Sequence, residues 1–128
     1  MRLPRYSMGV GDRFAHQGEA QLESVRSAGC AVCPVWNKSN REHELTGTGP
    51  ESVRREADEA VQALDWNGPY FVDADHIGLD TVDPFLHCSD YFTIDVADFI
   101  GQPAPEEDVE AFVTCHDDVA GMLELPGL

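Results

Sequence analysis

The chain has 128 residues, of which 42% are apolar, so it is long enough to form one small domain with a core. Its 24 acidic residues against 8 basic ones give a formal charge of −16, and so few cations exclude nucleic acid as an expected partner. The chain shows neither a run of about 18 apolar residues nor a secretion signal, so we expect a cytoplasmic protein with no membrane segment.

The acidic surplus has a second implication, because Lys38 is the only lysine in the chain. A surface of this kind repels itself at low salt, and the repulsion is screened as ionic strength rises. We interpret the composition as halophilic, that is, typical of a protein from a high-salt cytoplasm. An ordinary acidic protein is the alternative interpretation.

Strand-like and helix-like segments alternate along the chain, starting with a strand. The predicted strands lie near residues 6–10, 31–35, 70–74, 91–96 and 122–125. The predicted helices lie near residues 16–28, 50–65, 79–86 and 105–116. Residues 36–50 separate the second strand from the second helix, and their polar composition predicts a long functional loop.

This alternation predicts an α/β fold, in which parallel strands are joined by right-handed helical crossovers. We expect residues 1–128 to form a single unit, the first half of a TIM-type (β/α)8 barrel. A small doubly wound sandwich is the alternative and suits the length better. The barrel is favoured because polar clusters follow at least three strands, and barrels build active sites from the loops at that end. A half barrel has an open sheet edge, through which association is expected.

The central strand ends in a dense cluster of polar residues. Its apolar residues give way to Asp73, Asp75 and His76, and Gly78 closes the segment. A parallel strand that is buried on both faces can present charge only where it leaves the sheet. Carboxylates and imidazole suit a divalent metal ion. We therefore expect Asp73, Asp75 and His76 to be metal ligands, with a catalytic role for Asp75 as well.

Further polar residues follow the other strands and are expected at the same rim. They are Asp12, Arg13 and His16 after the first strand, Asn37, Lys38, Asn40, Arg41 and His43 after the second, and Asp95 at the end of the fourth. Cations such as Lys38 and Arg41 can clamp a small oxygenated anion, and His43 can move protons near neutral pH. Singly, these residues also have ordinary roles, such as helix capping by Asp12. Together they predict catalysis by Lys38 and His43 and substrate binding by the others.

Four sequence blocks resemble a known family, the tagaturonate epimerases of hexuronate catabolism. The blocks lie at residues 9–20, 34–43, 70–78 and 92–98. The second reads PVWNKSNREH and the third YFVDADHIG, and both are long enough to be specific. Members of the family are several times longer than this chain, so the resemblance implies an amino-terminal part of such an enzyme.

The resemblance implies a barrel similar to that of the class II aldolases, a divalent metal ion and a small anionic sugar-acid substrate. The implied reaction interconverts tagaturonate and fructuronate by inverting a hydroxyl-bearing carbon β to the ketone. Simple enolisation does not reach that carbon, so our hypothesis is retro-aldol cleavage followed by re-addition to the opposite face. Two other functions stay open, namely a metal-dependent aldolase or isomerase acting on another keto acid, and a non-catalytic α/β module that binds a cation.

Overall fold

The structure is a computed structural model that describes residues 2–29 and 31–117. It divides into two compact units, Met1–Val96 and Ala97–Leu128. We expected one unit over the whole chain, and the predicted strands that the structure describes all lie in the first of these two. The fifth strand, predicted near residues 122–125, lies outside the described residues. No helix in the described part of the chain is long and apolar enough to cross a membrane.

The secondary structure follows the predicted alternation with two differences: one helix is added, and the helix predicted near residues 79–86 is only a short 3-10 turn. The strands are β1 (Ser7–Val10), β2 (Cys33–Ser39), β3 (Phe71–Ile77) and β4 (Tyr91–Ile94). The helices are α1 (Gly18–Ser27), α2 (Asn40–Thr46), α3 (Glu51–Ala63) and α4 (Glu106–Cys115), and a short 3-10 turn spans Asp83–Phe85. The added helix is α2.

The four strands form one sheet in the order β1-β2-β3-β4, and every neighbouring pair is parallel. A doubly wound sandwich reverses its strand order at a switch point and carries helices on both faces. Here the order is consecutive, and α1 and α3 pack on the same face, as helices do in a (β/α)8 barrel. The predicted α/β class with parallel βα units is therefore confirmed, and a partial barrel explains the strand order better than a sandwich does.

Alternation along the strands decides which side chains meet the helices. Trp36 of β2 and Val72 of β3 are partners in register, so both point to the same face, where both are buried. Leu22 of α1 covers them together with Val53 and Ala57 of α3, which are four positions apart and share one helix face. Burial of each large apolar side chain contributes roughly 1.5–3 kcal/mol, so this layer holds both helices on the sheet.

The prediction of a loop over residues 36–50 is wrong for most of this segment. β2 continues to Ser39, and α2 begins at Asn40 with a complete capping box. The Ser39 hydroxyl accepts a hydrogen bond from the Glu42 amide at 3.3 Å, and the Ser39 amide donates to the Glu42 carboxylate at 3.2 Å. Gly47 then ends the helix with a left-handed φ of +64°. The Ser-x-x-Glu spacing is a helix signal that outweighs the polar composition of this segment.

A polar clamp joins α3 to the turn before β4. The Arg54 guanidinium donates to the Cys88 carbonyl at 3.0 Å and to the Asp90 carboxylate at 2.5 Å. The same carboxylate oxygen accepts from the Val72 amide at 2.9 Å, and the Asp90 amide donates to the Val72 carbonyl at 2.7 Å. One partly buried carboxylate therefore links α3, β3 and the approach to β4.

Replacement of Asp90 by asparagine is expected to lower the free energy of unfolding by about 1.5–3 kcal/mol, because Arg54 loses a charged hydrogen-bond acceptor. Urea denaturation measures the change. The matched control is Asp83→Asn, which removes an exposed carboxylate from the nearby 3-10 turn and should change stability by less than about 0.5 kcal/mol. Equal effects of the two substitutions would contradict the role of Asp90.

Candidate functional site

A cavity of about 340 Å³ lies at the carboxyl ends of β1 and β2. Its lining residues are Gly11, Asp12, Arg13, Phe14, Asn37, Lys38 and Glu42. Parallel strands bring the residues that follow them to one rim, which is why two segments distant in sequence meet here. Four of the site residues predicted from the sequence line this cavity: Asp12, Arg13, Asn37 and Lys38.

The two strand ends approach closely because Gly11 has no side chain. A Cβ atom at this position would lie 2.5 Å from the Asn37 carbonyl oxygen, which is closer than such atoms can pack. A larger residue would push the backbones of the two segments apart. Glycine at position 11 therefore sets the width of the cavity between them.

Asp12 organises the turn that follows β1. One of its carboxylate oxygens accepts from the Phe14 amide at 2.8 Å, and the other accepts from the His16 and Gln17 amides at 3.0 and 2.7 Å. Burial by itself would raise the pKa of Asp12, but these bonds and one with Glu56 hold the pKa below its ordinary value. Asp12 is therefore an anion that holds the chain leading into α1 and also lines the cavity.

Lys38 is a buried cation in the cavity wall, with only 2% of its surface exposed. Its ammonium group donates to the Thr46 hydroxyl at 3.0 Å and to the Thr48 hydroxyl at 2.9 Å. Burial lowers the pKa of Lys38, and attraction to Glu42 and Asp12 offsets part of that shift. An ammonium has three N–H donors, and the two hydroxyls account for two of them.

His43 lies on the face of the sheet that the helices cover. Its ring packs against Phe85 with centroids 5.7 Å apart, and Phe85 in turn packs on Ala74. Nδ1 of His43 lies 3.0 Å from the Thr48 hydroxyl, which also accepts from Lys38. Burial, helped by the nearby Lys38 charge, lowers the pKa of His43 to about 4. At neutral pH the ring is therefore uncharged and joined to Lys38 through one hydroxyl.

The predicted metal ligands on β3 point to the opposite face, because Asp73 and Asp75 alternate with residues that face the helices. The Thr93 hydroxyl donates to Asp73 at 2.6 Å, while Nδ1 of His76 lies 3.0 Å from the Asp75 carboxylate. His76 has a left-handed φ of +52°, and the pairing of β3 with β4 shifts register there. The strand thus ends in a bulge that leaves His76 exposed.

The fit of these residues to a metal ion is partial. Asp75 and His76 contact each other and Asp73 lies on the same face, but His43 is on the other side of the sheet. The described residues contain no group of three His, Cys, Asp or Glu side chains placed to hold one ion. Zinc sites in proteins use three or four protein ligands. Asp73, Asp75 and His76 can therefore provide only part of such a ligand set.

Four predicted binding residues do not line the cavity: His16, Asn40, Arg41 and Asp95. Asn40 donates to the Glu44 carboxylate at 2.8 Å on the surface of α2, and the neighbouring Arg41 is exposed. Asp95 follows β4, where its amide donates to the Ile77 carbonyl at 3.1 Å.

Sequence reasoning missed the buried acid Glu56 of α3, which is 6% exposed. Burial, together with a hydrogen bond to Asp12 and repulsion from it, raises the pKa of Glu56 to about 7. A signal was present, because Glu56 follows Val53 by three positions and precedes Ala57 in the apolar stripe of the helix. A carboxyl group inside such a stripe has to be neutral or specifically bound, since burial of an unpaired charge is costly.

The neutral state of His43 predicts a pH-dependent contribution to stability. Its pKa of about 4 is below the ordinary 6.5, so this contribution is complete above pH 6.5 and is lost as the pH falls toward 4. The loss amounts to roughly 3 kcal/mol. His43→Gln does not undergo this loss. Between pH 7 and pH 4, the free energy of unfolding of the unmodified chain should therefore fall by that amount more than the free energy of unfolding of the variant.

Urea denaturation at pH 7 and pH 4 measures this gap. Taking the difference between two chains removes the opposing contribution of Glu56, whose raised pKa lowers stability as the pH rises toward 7. The control is His87→Gln at an exposed position, which should leave the gap unchanged. A pH-independent gap for His43→Gln would show that the histidine is not held neutral.

No protein-family profile matches the sequence, and no curated protein matches it. Solved structures of the fructuronate-tagaturonate epimerase UxaE from Cohnella laeviribosi do match. The complex with two glycerol molecules has a TM-score of 0.70 and 26% identity over 89% of this chain and 26% of the epimerase chain. The native crystal structure gives 0.69 at the same identity and coverage, and the complex with one glycerol gives 0.66 over 85% and 23%.

The chain thus spans about a quarter of the length of the enzyme that it matches. The match extends over 89% of this chain. The resemblance to the tagaturonate epimerases is therefore confirmed by structure: this chain is similar to one part of a fructuronate-tagaturonate epimerase.

Proposed function

We propose that the chain is part of a sugar-acid epimerase that interconverts fructuronate and tagaturonate. The observation that carries the proposal is the similarity to UxaE, with a TM-score of 0.70 over 89% of the chain. The cavity supports it, because its volume is within the range of small-molecule sites and its walls are polar and charged. A substrate with one carboxylate and several hydroxyls suits these walls.

Lys38 is proposed to bind the carboxylate of the sugar acid. It is the buried cation of the cavity, and its remaining N–H donor makes a charge-assisted hydrogen bond possible. Arg13 is more exposed, and its guanidinium lies 3.7 Å from the Glu42 carboxylate, so it offers a second, more mobile cation. The amide group of Asn37 can both donate to and accept from substrate hydroxyls.

The proposed chemistry is retro-aldol cleavage and re-addition. The hydroxyl on the carbon to be inverted loses its proton while the bond from that carbon to the carbon beside the ketone breaks. This gives an aldehyde and an enediolate, and addition to the other face of the aldehyde reforms the bond and takes the proton back. Neutral His43 is the proposed acceptor and donor of this proton, and because it does not line the cavity the proton would pass through the Thr48 hydroxyl beside it.

A divalent metal ion is also part of the proposal, with Asp73, Asp75 and His76 among its ligands and Asp75 close to the chemistry. When bound, such an ion would polarise the ketone of the substrate. The carboxylate and imidazole donors at the end of β3 support this, and the remaining ligands would have to come from outside the described residues.

Calorimetry with tagaturonate is expected to detect binding to the unmodified chain. Lys38→Met should weaken the affinity at least about tenfold, because a hydrogen bond between charged groups is lost. Arg26→Met is the control, since it removes an exposed cation of α1 that pairs with Glu23. A second control is the ligand tagatose, which lacks the carboxylate and should not respond to Lys38→Met. Equal loss of affinity in both variants would overturn the role of Lys38.

Turnover tests the reaction itself. Tagaturonate incubated with a divalent metal and the complete natural enzyme that carries this chain should yield fructuronate, which NMR spectroscopy distinguishes from the substrate. Formation of two smaller fragments without fructuronate would identify an aldolase instead. Turnover of other uronates in preference to tagaturonate would contradict the assigned substrate.

A further inference from the structure

The side chain of Glu56 lies directly beneath the first turn of α1. A Cβ atom at Gly18 would lie 2.6 Å from Cγ of Glu56, so glycine at this position is what makes room for the acid. Glu56 is 6% exposed, and its Oε1 atom has no hydrogen-bond partner among the described residues. A carboxyl group in this position is either neutral or strongly destabilising.

The groups that face Glu56 decide which form it takes. Gly18 at the start of α1 lies against Glu56, and the adjacent Gln17 amide donates to the Asp12 carboxylate at 2.7 Å, which places Asp12 beside the same turn. The electrostatics of the two carboxyl groups include a hydrogen bond between them, and Lys38 adds a charge from β2. Two adjacent carboxyl groups cannot both ionise at low cost. Asp12 already accepts three backbone hydrogen bonds as an anion, so it keeps the charge and Glu56 keeps the proton.

We propose that Glu56 is a positioning residue for the cavity: as a neutral acid it donates a hydrogen bond to the Asp12 carboxylate and so holds the turn of residues 11–14 in the cavity wall. Loss of the proton replaces this bond by repulsion between two carboxylates. The turn then loses one of the bonds that fix it, and Asp12 moves away from Glu56.

The consequence for ligands rests on the proposed function. Residues 11–14 supply four of the seven lining residues of the cavity, so a displaced turn changes the site that would receive the sugar acid. The pKa of Glu56 is about 7, which places the change within the physiological range. Binding should weaken as the pH rises through neutrality, although the substrate carboxylate keeps its charge.

Hydrogen exchange at the amides of Phe14, His16 and Gln17 tests the positioning without any ligand. Their protection factors, corrected for the intrinsic rate, should fall roughly tenfold in the unmodified chain between pH 5.5 and pH 8.5. Glu56→Gln cannot ionise and still has N–H donors, so its protection should stay constant. Glu56→Leu has no donor and should show low protection at both pH values. The control Glu59→Gln, at an exposed position of the same helix, should behave like the unmodified chain.

The same pH change in Glu56→Gln and in the unmodified chain would overturn the proposal, as would full protection in a folded Glu56→Leu. Circular dichroism establishes that each variant is folded. Calorimetry with tagaturonate then adds an independent arm, in which the affinity of the unmodified chain falls above pH 7 while that of Glu56→Gln does not. If no form binds tagaturonate, the proposed function fails, and the exchange data still decide the role of Glu56.

Discussion

The constraint on which the site depends is that four strands lie side by side in the order of the chain and run in one direction. Every segment that follows a strand then emerges at the same rim, so the turn after β1 and the end of β2 meet although α1 separates them in sequence. Successive side chains of a strand point to opposite faces of the sheet, so they alternate between the face that the helices cover and the other face. Lys38 and His43 lie on the helix side of the rim, whereas Asp73 and Asp75 lie on the other face.

The rim holds the half-buried Asp12 and the buried Glu56, Lys38 and His43, and each is stabilised by specific neighbours. Asp12 is an anion because three amides donate to it, and burial beside that anion raises the pKa of Glu56 to about 7. Lys38 is bound by two threonine hydroxyls, and its charge helps to keep His43 neutral. Buried polar groups that are individually costly are retained where their positions matter, which is typical of functional sites.

The fold could be predicted from the sequence because apolar periodicity marks the strands and the stripe of α3, and alternation of the two elements implies a parallel sheet. The start of α2 could also have been predicted from Ser39 and Glu42, but the polar composition of the segment concealed it. The face of each side chain follows from alternation along the strand once the register is known. Lys38 follows the buried Trp36 by two positions, so it lies on the same face, which the helices cover. The pairing of Glu56 with Asp12 could not be predicted, because it depends on how α3 packs against the turn after β1.

The similarity to UxaE and the chemistry of the rim lead to one central claim, that the cavity beside Lys38 receives the carboxylate of a sugar acid. A crystal structure of this chain with tagaturonate tests the claim most directly. The carboxylate is expected within hydrogen-bond distance of Nζ of Lys38, between the turn of residues 11–14 and the end of β2. Tagaturonate bound only on the opposite face, at Asp73 and Asp75, with the cavity occupied by water, would contradict it.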